Sequence, residues 1–159
     1  MDEQSYFNEL IKEHGRLINK ICYFYATDID DFKDLRQESL LNIFRGLNKF
    51  RADSKISTWI YRITLNSCVS YVRKNKRKSF VSIENHPELI TTDSETANLT
   101  KELYFLINQL DNKIDKALIL MWLDDMDYDA IAEVSGLNKA TVGSRLHRIK
   151  KKLVELSNR

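Results

Sequence analysis

The stretch YDAIAEVSGLNKATVGSRLHRIKKKL, residues 128–153, decides how this chain is read. Ala130, Ile131 and Val134 give a first short helix one apolar face, and Gly136 stands where that helix must end and the chain turn. Asn138 is placed to cap a second helix by accepting a hydrogen bond from a backbone N–H near Thr141. In the second helix Val142, Leu146, Ile149 and Leu153 recur at helical spacing and belong to a core. Ser144, Arg145, His147, Arg148 and Lys151 largely point elsewhere. Two short helices joined by a glycine-containing turn, the second basic on its outside, suit insertion into a DNA major groove. A plain helical hairpin with solvated Lys and Arg is the competing reading.

The rest of the chain agrees with a helical protein. Its 159 residues include four Gly and one Pro, too few turn formers for a β fold, while Leu, Ile, Val and aromatics are plentiful. The 25 basic and 23 acidic residues nearly cancel, so the distribution of charge says more than its total. Cys22 and Cys68 both fall on apolar helical faces, where buried free thiols are expected. No CxxC pair or metal-spaced His/Cys cluster occurs, and neither zinc nor a disulfide is expected. No signal peptide and no apolar run of membrane-spanning length is visible, which points to the cytoplasm and against direct membrane insertion. No clustered nucleophile and base or Gly-rich phosphate loop suggests an enzyme, and no cofactor is implied.

Working back along the chain, Phe7, Leu10, Ile11, His14, Leu17, Ile18, Ile21 and Cys22 form one stripe of a helix over residues 5–25. Asp28, Asp30 and Asp31 then break the chain and cap a second helix over 32–47, with Phe32, Leu35, Leu40, Ile43, Phe44 and Leu47 inward. Asp34, Arg36, Gln37, Glu38 and Asn42 take its other face. A loop over 49–57 leads to a third helix, 58–77, capped by Ser57 or Thr58 and ending in the cationic run Arg73–Lys78. Residues 79–96 hold Glu84, Glu88, Asp93 and Glu95, no Lys or Arg, and the single Pro87, and read as a linker. Thr92 and Glu95 have capping-box spacing. Helices over 97–110 and 114–123 precede the helix-turn-helix. The expected fold class is all-α: two small helical domains, 1–78 and 97–159, joined by an acidic flexible linker, 79–96. The second is a four-helix domain containing the helix-turn-helix.

The segment FRADSKISTWIYRITLN, residues 50–66, closely resembles the promoter-melting segment of bacterial sigma factors of the compact extracytoplasmic-function group, within the sigma-seventy family. Asp34-Leu35-Arg36-Gln37-Glu38 looks like the segment with which that family grips RNA polymerase. Thr141-Val142-Gly143-Ser144-Arg145-Leu146-His147-Arg148 is similar to its promoter-reading helix. The three motifs stand in the family's order and together span nearly the whole chain.

The resemblance implies a subunit that binds core RNA polymerase, directs it to promoter DNA and assists strand opening, the polymerase itself supplying the catalysis. Asp34, Leu35, Gln37 and Glu38 would then bind polymerase, although a solvated helix face has the same spacing. Phe50, Asp53, Ser54, Lys55 and Asn66 would capture a flipped base of the upstream-ten element, since an amide both donates to and accepts from a base edge. Trp59 joins them by resemblance, though Trp59 and Phe50 also suit a plain core. Arg62 and Arg73 would neutralise phosphates. On the last helix Ser144, His147 and Arg148 share a face at i, i+3 and i+4 and would read the upstream-thirty-five element, with Arg145, Lys150, Lys151 and Lys152 on phosphates and Thr141 at the helix start. Gly143 departs from the family's usual Lys or Arg, Leu110-Asp111 lacks its usual Pro, and Met126 replaces a usual turn Gly. The linker would thread a positively charged polymerase channel or serve as a simple tether. Control by a membrane-anchored anti-sigma factor is also implied. A conventional helix-turn-helix regulator, or a degenerate sigma-like interaction protein, remains the alternative.

Overall fold

The computed structural model describes residues 2–75 and 97–159, with side chains at 2–75 and 101–159. Regular structure among them is helical: α1 (Glu3–Tyr25), α2 (Ile29–Gly46), a 3-10 turn (Leu47–Lys49), α3 (Ile56–Lys74), α4 (Ala97–Asn108), α5 (Lys113–Leu123), α6 (Tyr128–Ser135) and α7 (Lys139–Ser157). The helix starts are largely local chemistry. Asp2, Asp28, Asn112, Asp127 and Asn138 each accept a backbone N–H of the first turn through the side-chain oxygen, at 2.7–2.9 Å. Asp30 and Asp31 add negative charge to the positive end of α2.

α3 departs from the expected pattern. It begins at Ile56 rather than residue 58, and its N-cap is Lys55 with no side-chain hydrogen bond, so Ser57 and Thr58 lie inside the first turn instead of capping it. The helix ends at Lys74. Asn75 closes it, its amide donating to the Tyr71 carbonyl at 2.9 Å while its backbone N–H reaches Tyr71 and Val72. The remainder of the cationic run, residues 76–78, the acidic stretch and the Thr92/Glu95 spacing lie outside the described residues.

Leu17, Ile18 and Ile21 of α1, Leu35 and Ile43 of α2, and Ile60 and Leu65 of α3 are buried together. Ile107, Leu118, Ile119, Leu120, Ile131, Val142 and Leu146 do the same for the C-terminal helices, each contributing about 1.5–3 kcal/mol of burial. Among the described residues these two sets form one connected core. α5 packs along α1 and α6 along α3. The Phe24 ring meets Tyr104 edge-on at 5.6 Å, and Lys113 donates to the Tyr25 carbonyl at 3.0 Å. The end of α1, Ile21 to Tyr25, and the capping Ala26 after it are buried at every position. Apolar residues on all sides of a helix are the sequence mark of such double cover.

Candidate nucleic-acid interface

The polypeptide leaves the 3-10 turn at Phe50, whose N–H bonds the Leu47 carbonyl at 3.3 Å. Two residues on, Ala52 has φ of 58°, a left-handed conformation that costs a non-glycine residue on the order of 1 kcal/mol. The Phe50 and Trp59 rings lie 5.4 Å apart, tilted by 53°. Gly46 makes room for the indole: a Cβ added there would stand 3.1 Å from Trp59 Cζ2. Both aromatics are therefore half-buried packing members that join the loop to the end of α2. Asp53 and Lys55 are exposed, and Ser54 is half-buried.

Along α3 the exposed polar positions make one stripe. Arg62, Asn66, Ser70 and Arg73 follow at steps of four, four and three, and all are exposed. Asn66 lines a groove of about 450 Å³ between α2 and α3, together with Glu38, Asn42, Ser67 and Lys74. Ser67 fixes one wall. It accepts from the Asn42 amide at 2.9 Å and donates to the Ile63 carbonyl at 2.7 Å. Its serine-on-helix pattern carries no sequence signal, because the partner lies 25 residues away. Asn66 thus stands with the α2 side of the groove, two turns from the Phe50–Trp59 contact.

The helix-turn-helix has the expected geometry. Gly136 turns at φ 78° and its N–H closes on the Ala132 carbonyl at 2.9 Å; Asn138 then accepts the Thr141 N–H at 2.8 Å. Ser144, His147, Arg148 and Lys151 share the exposed face of α7, while Thr141 is half-buried at its start. Two expected cations behave differently. Arg145 grips Asp115 of α5 through Nη2 at 2.9 Å and Nε at 3.1 Å, with both side chains largely covered. Lys150 stacks its ammonium 3.8 Å over the Trp122 ring. Arg145 is accordingly a brace between α5 and α7 and not an outward phosphate contact. Gly143 faces α6, where an added Cβ would touch the Tyr128 ring at 3.4 Å.

On α2, Asp34, Gln37 and Glu38 are exposed and adjacent. Leu35 is fully buried, so it supports this face from beneath and offers no contact of its own. Leu41, missed by the sequence reading, is 40 % exposed and borders an apolar groove of about 490 Å³ with Phe7, Leu40 and Phe44. Its position one turn beyond Gln37 and Glu38 is the signal that could have found it. Among the described residues no group of three or more His, Cys, Asp or Glu could hold a metal, and no helix is long and apolar enough to cross a membrane.

Known proteins are similar to this chain in sequence and in fold. The family model for sigma-70 region 2 matches residues 10–78, and that for sigma-70 region 4 matches residues 100–153. The sigma factor SigV of Bacillus subtilis is 26% identical, over 87% of this chain and 82% of its own. The extracytoplasmic-function sigma factor SigW of the same organism is 25% identical, over 92% and 86%. The sigma-E factor of Salmonella typhimurium is 27% identical, over 92% and 83%. Among solved structures, RpoE of Bartonella quintana, crystallised with the anti-sigma factor NepR, superposes with a TM-score of 0.76 at 19% identity, covering 96% of each chain. CnrH in complex with the cytosolic domain of CnrY gives 0.68 at 24%, covering 98% of this chain and 89% of that one. These two likenesses show the fold, and the two region matches together with the relatives show the lineage. The chain belongs to the sigma-70 family and is an extracytoplasmic-function RNA polymerase sigma factor.

Proposed function

We propose how this sigma factor divides its work among its residues. Residues 1–78 bind core polymerase and open the upstream-ten element, residues 79–96 connect, and residues 97–159 read the upstream-thirty-five element. Asp34, Gln37 and Glu38 present acceptors to a basic helical surface of polymerase, with Leu41 adding apolar contact. Arg62 and Arg73 hold phosphates on either side of Asn66, which pairs with the edge of a base displaced from the duplex. Asp53, Ser54 and Lys55 line the approach, and Phe50 and Trp59 hold that loop in shape. On α7, Ser144, His147 and Arg148 read base edges and Lys151 takes a phosphate. The observation that carries this division is the exposed polar stripe Arg62–Asn66–Ser70–Arg73 on a helix whose other side is buried.

The action is binding without covalent chemistry, carried out in the cytoplasm where polymerase and promoter meet. Control comes from an anti-sigma factor, a reading supported by the structural neighbour RpoE, which was solved in complex with the anti-sigma factor NepR. Transcription by purified core polymerase on fragmented genomic DNA, with and without this protein, tests the core of the proposal. Promoter-specific transcripts should depend on it. Tight binding to duplex DNA by the protein alone, with no such transcript, would instead mark a conventional regulator.

A further inference from the structure

Three helices of the N-terminal part converge on one sulfur. Cys22 of α1 and Cys68 of α3 are fully buried free thiols, 46 residues apart in sequence. The Cys68 thiol donates toward Cys22 Sγ at 3.9 Å, and the Ser39 hydroxyl of α2 lies 3.7 Å from the same Cys22 sulfur. Sequence spacing gives no hint of this pairing. Promoter reading and polymerase binding make no use of it.

The two thiols are not equivalent. Hydrogen bonds from Cys68 and Ser39, with the positive charge of Arg36 nearby, draw the Cys22 thiol below its usual range against the opposing effect of burial. Burial pushes Cys68 well up. Cys22 is therefore the sulfur that ionises first, while Cys68 keeps its proton and points it at Cys22. Closing the gap from 3.9 Å to an S–S bond of about 2.05 Å moves each sulfur by roughly 0.9 Å, within reach of side-chain torsion.

We infer that Cys22 and Cys68 form an oxidation site that closes to an intramolecular disulfide, tying α1 to α3, with hydrogen peroxide as the oxidant. The Cys22 thiolate attacks one peroxide oxygen, the O–O bond breaks, and the departing hydroxide takes a proton and leaves as water. Cys22 is then a sulfenic acid. The Cys68 sulfur, giving up its proton, attacks the Cys22 sulfur; the S–O bond breaks and a second water leaves. Two thiols lose two electrons and one peroxide gains them. Because both sulfurs are buried, the reaction proceeds through brief local openings and is slow compared with an exposed sensor cysteine. The bond would form two residues from Asn66, on the helix assigned to strand capture.

The test treats the reduced, full-length chain with hydrogen peroxide under native conditions, then alkylates in denaturant and measures intact mass without reductant. The expected product is a monomer lighter by two hydrogens, with no alkyl group added, helical circular dichroism retained, and full reversal by dithiothreitol. A tryptic peptide joining the Cys22 and Cys68 fragments should appear. In Cys68→Ser, which keeps a hydrogen-bond donor beside Cys22 but no second thiol, the sulfenic acid should be trapped by dimedone on Cys22, whereas Cys22→Ala should give no adduct on Cys68. Wild-type chain that keeps both thiols alkylatable at a peroxide dose that oxidises the denatured chain overturns the inference. So does a product dominated by sulfinic acids or by disulfide-linked dimers, and so does a bridge that forms only with loss of helix. The wild-type arm decides the matter even where a cysteine variant fails to fold.

Discussion

α3 and α7 both carry side chains suited to nucleic acid, yet they distribute them in opposite ways. On α3 the inward positions are taken by Ile60, Leu65, Cys68 and the half-buried Trp59, and the polar stripe stays outside. On α7 part of the basic set turns inward: Arg145 is held by Asp115 and Lys150 by the Trp122 ring, both partners on α5. The difference lies in the neighbouring helix. α5 offers an acid in its first turn and an indole near its end, and cations passing over such groups are captured. Counting Lys and Arg on a recognition helix therefore overstates what reaches the groove.

The largest break in this comparison should come from Arg145→Ala. Leaving Asp115 covered and unpaired should cost about 2 kcal/mol of stability, read as a lower urea midpoint, with DNA contacts affected only through the fold. Unchanged stability with weakened promoter binding would return Arg145 to the DNA face. Asn66→Ala should behave in the opposite manner. We expect roughly a tenfold loss of promoter opening, measured by permanganate reactivity of the melted strand, for a contact of about 1–3 kcal/mol. Polymerase binding should be little changed; equal loss of both would refute the flipped-base role. Arg148→Ala, on the outward face of α7, should reduce discrimination between correct and mutated upstream-thirty-five elements about fivefold in competition assays, at an unaltered melting temperature.

Two smaller effects probe the support beneath α7. Lys116 of α5 is buried, and burial together with the like charge of Lys113 brings it down to about 8 from 10.5. Between those values the unfolded chain holds a proton that the folded chain has released, so stability should rise as pH climbs through this window. Tyr61, pushed up to about 12 from 10.0 by burial, works the other way. Above its unfolded value the unfolded chain loses a proton that the folded chain keeps, and stability falls. Urea midpoints should therefore rise between about pH 7 and 9, and the further rise due to Lys116 above about pH 10 should be largely offset by Tyr61. Finally, Gly143→Ala should stabilise the protein by roughly 0.5–1 kcal/mol, because the added methyl meets Tyr128 at ordinary contact distance inside a helix. Upstream-element affinity should not change; a loss would mean that the close approach of α6 and α7 serves DNA reading directly.

What the sequence disclosed follows from the range of each interaction. Gly136 and Asn138 act on backbone within three or four residues, so the helix-turn-helix was legible to the residue. The caps at Asp28 and Asn138 are local in the same sense, and the three family motifs could be located on contiguous segments. Arg145 with Asp115 spans 30 residues, Cys22 with Cys68 46, and Lys113 with Tyr25 88. No periodicity reports such pairs, and each one altered the reading of a residue taken alone. The position of α3's start was missed for a different reason: Ser57 and Thr58 are good caps in isolation, but packing places Thr58 inside the core. Leu35 was rightly expected inward from its spacing, and its place in the segment that resembles the family's polymerase-gripping motif made it look like a contact as well.

The shared core has a calorimetric consequence. Tyr23, Phe24, Tyr25 and Tyr104 lie where the N-terminal and C-terminal helices meet, and burying aromatic surface lowers heat capacity. The free protein should therefore melt in a single endotherm with one van't Hoff enthalpy, not two. A partner that drew the two halves apart without covering these rings would bind with a positive heat-capacity increment. One that took their place against the rings would bind with an increment near zero or below, so titration calorimetry at several temperatures distinguishes prising open from substitution.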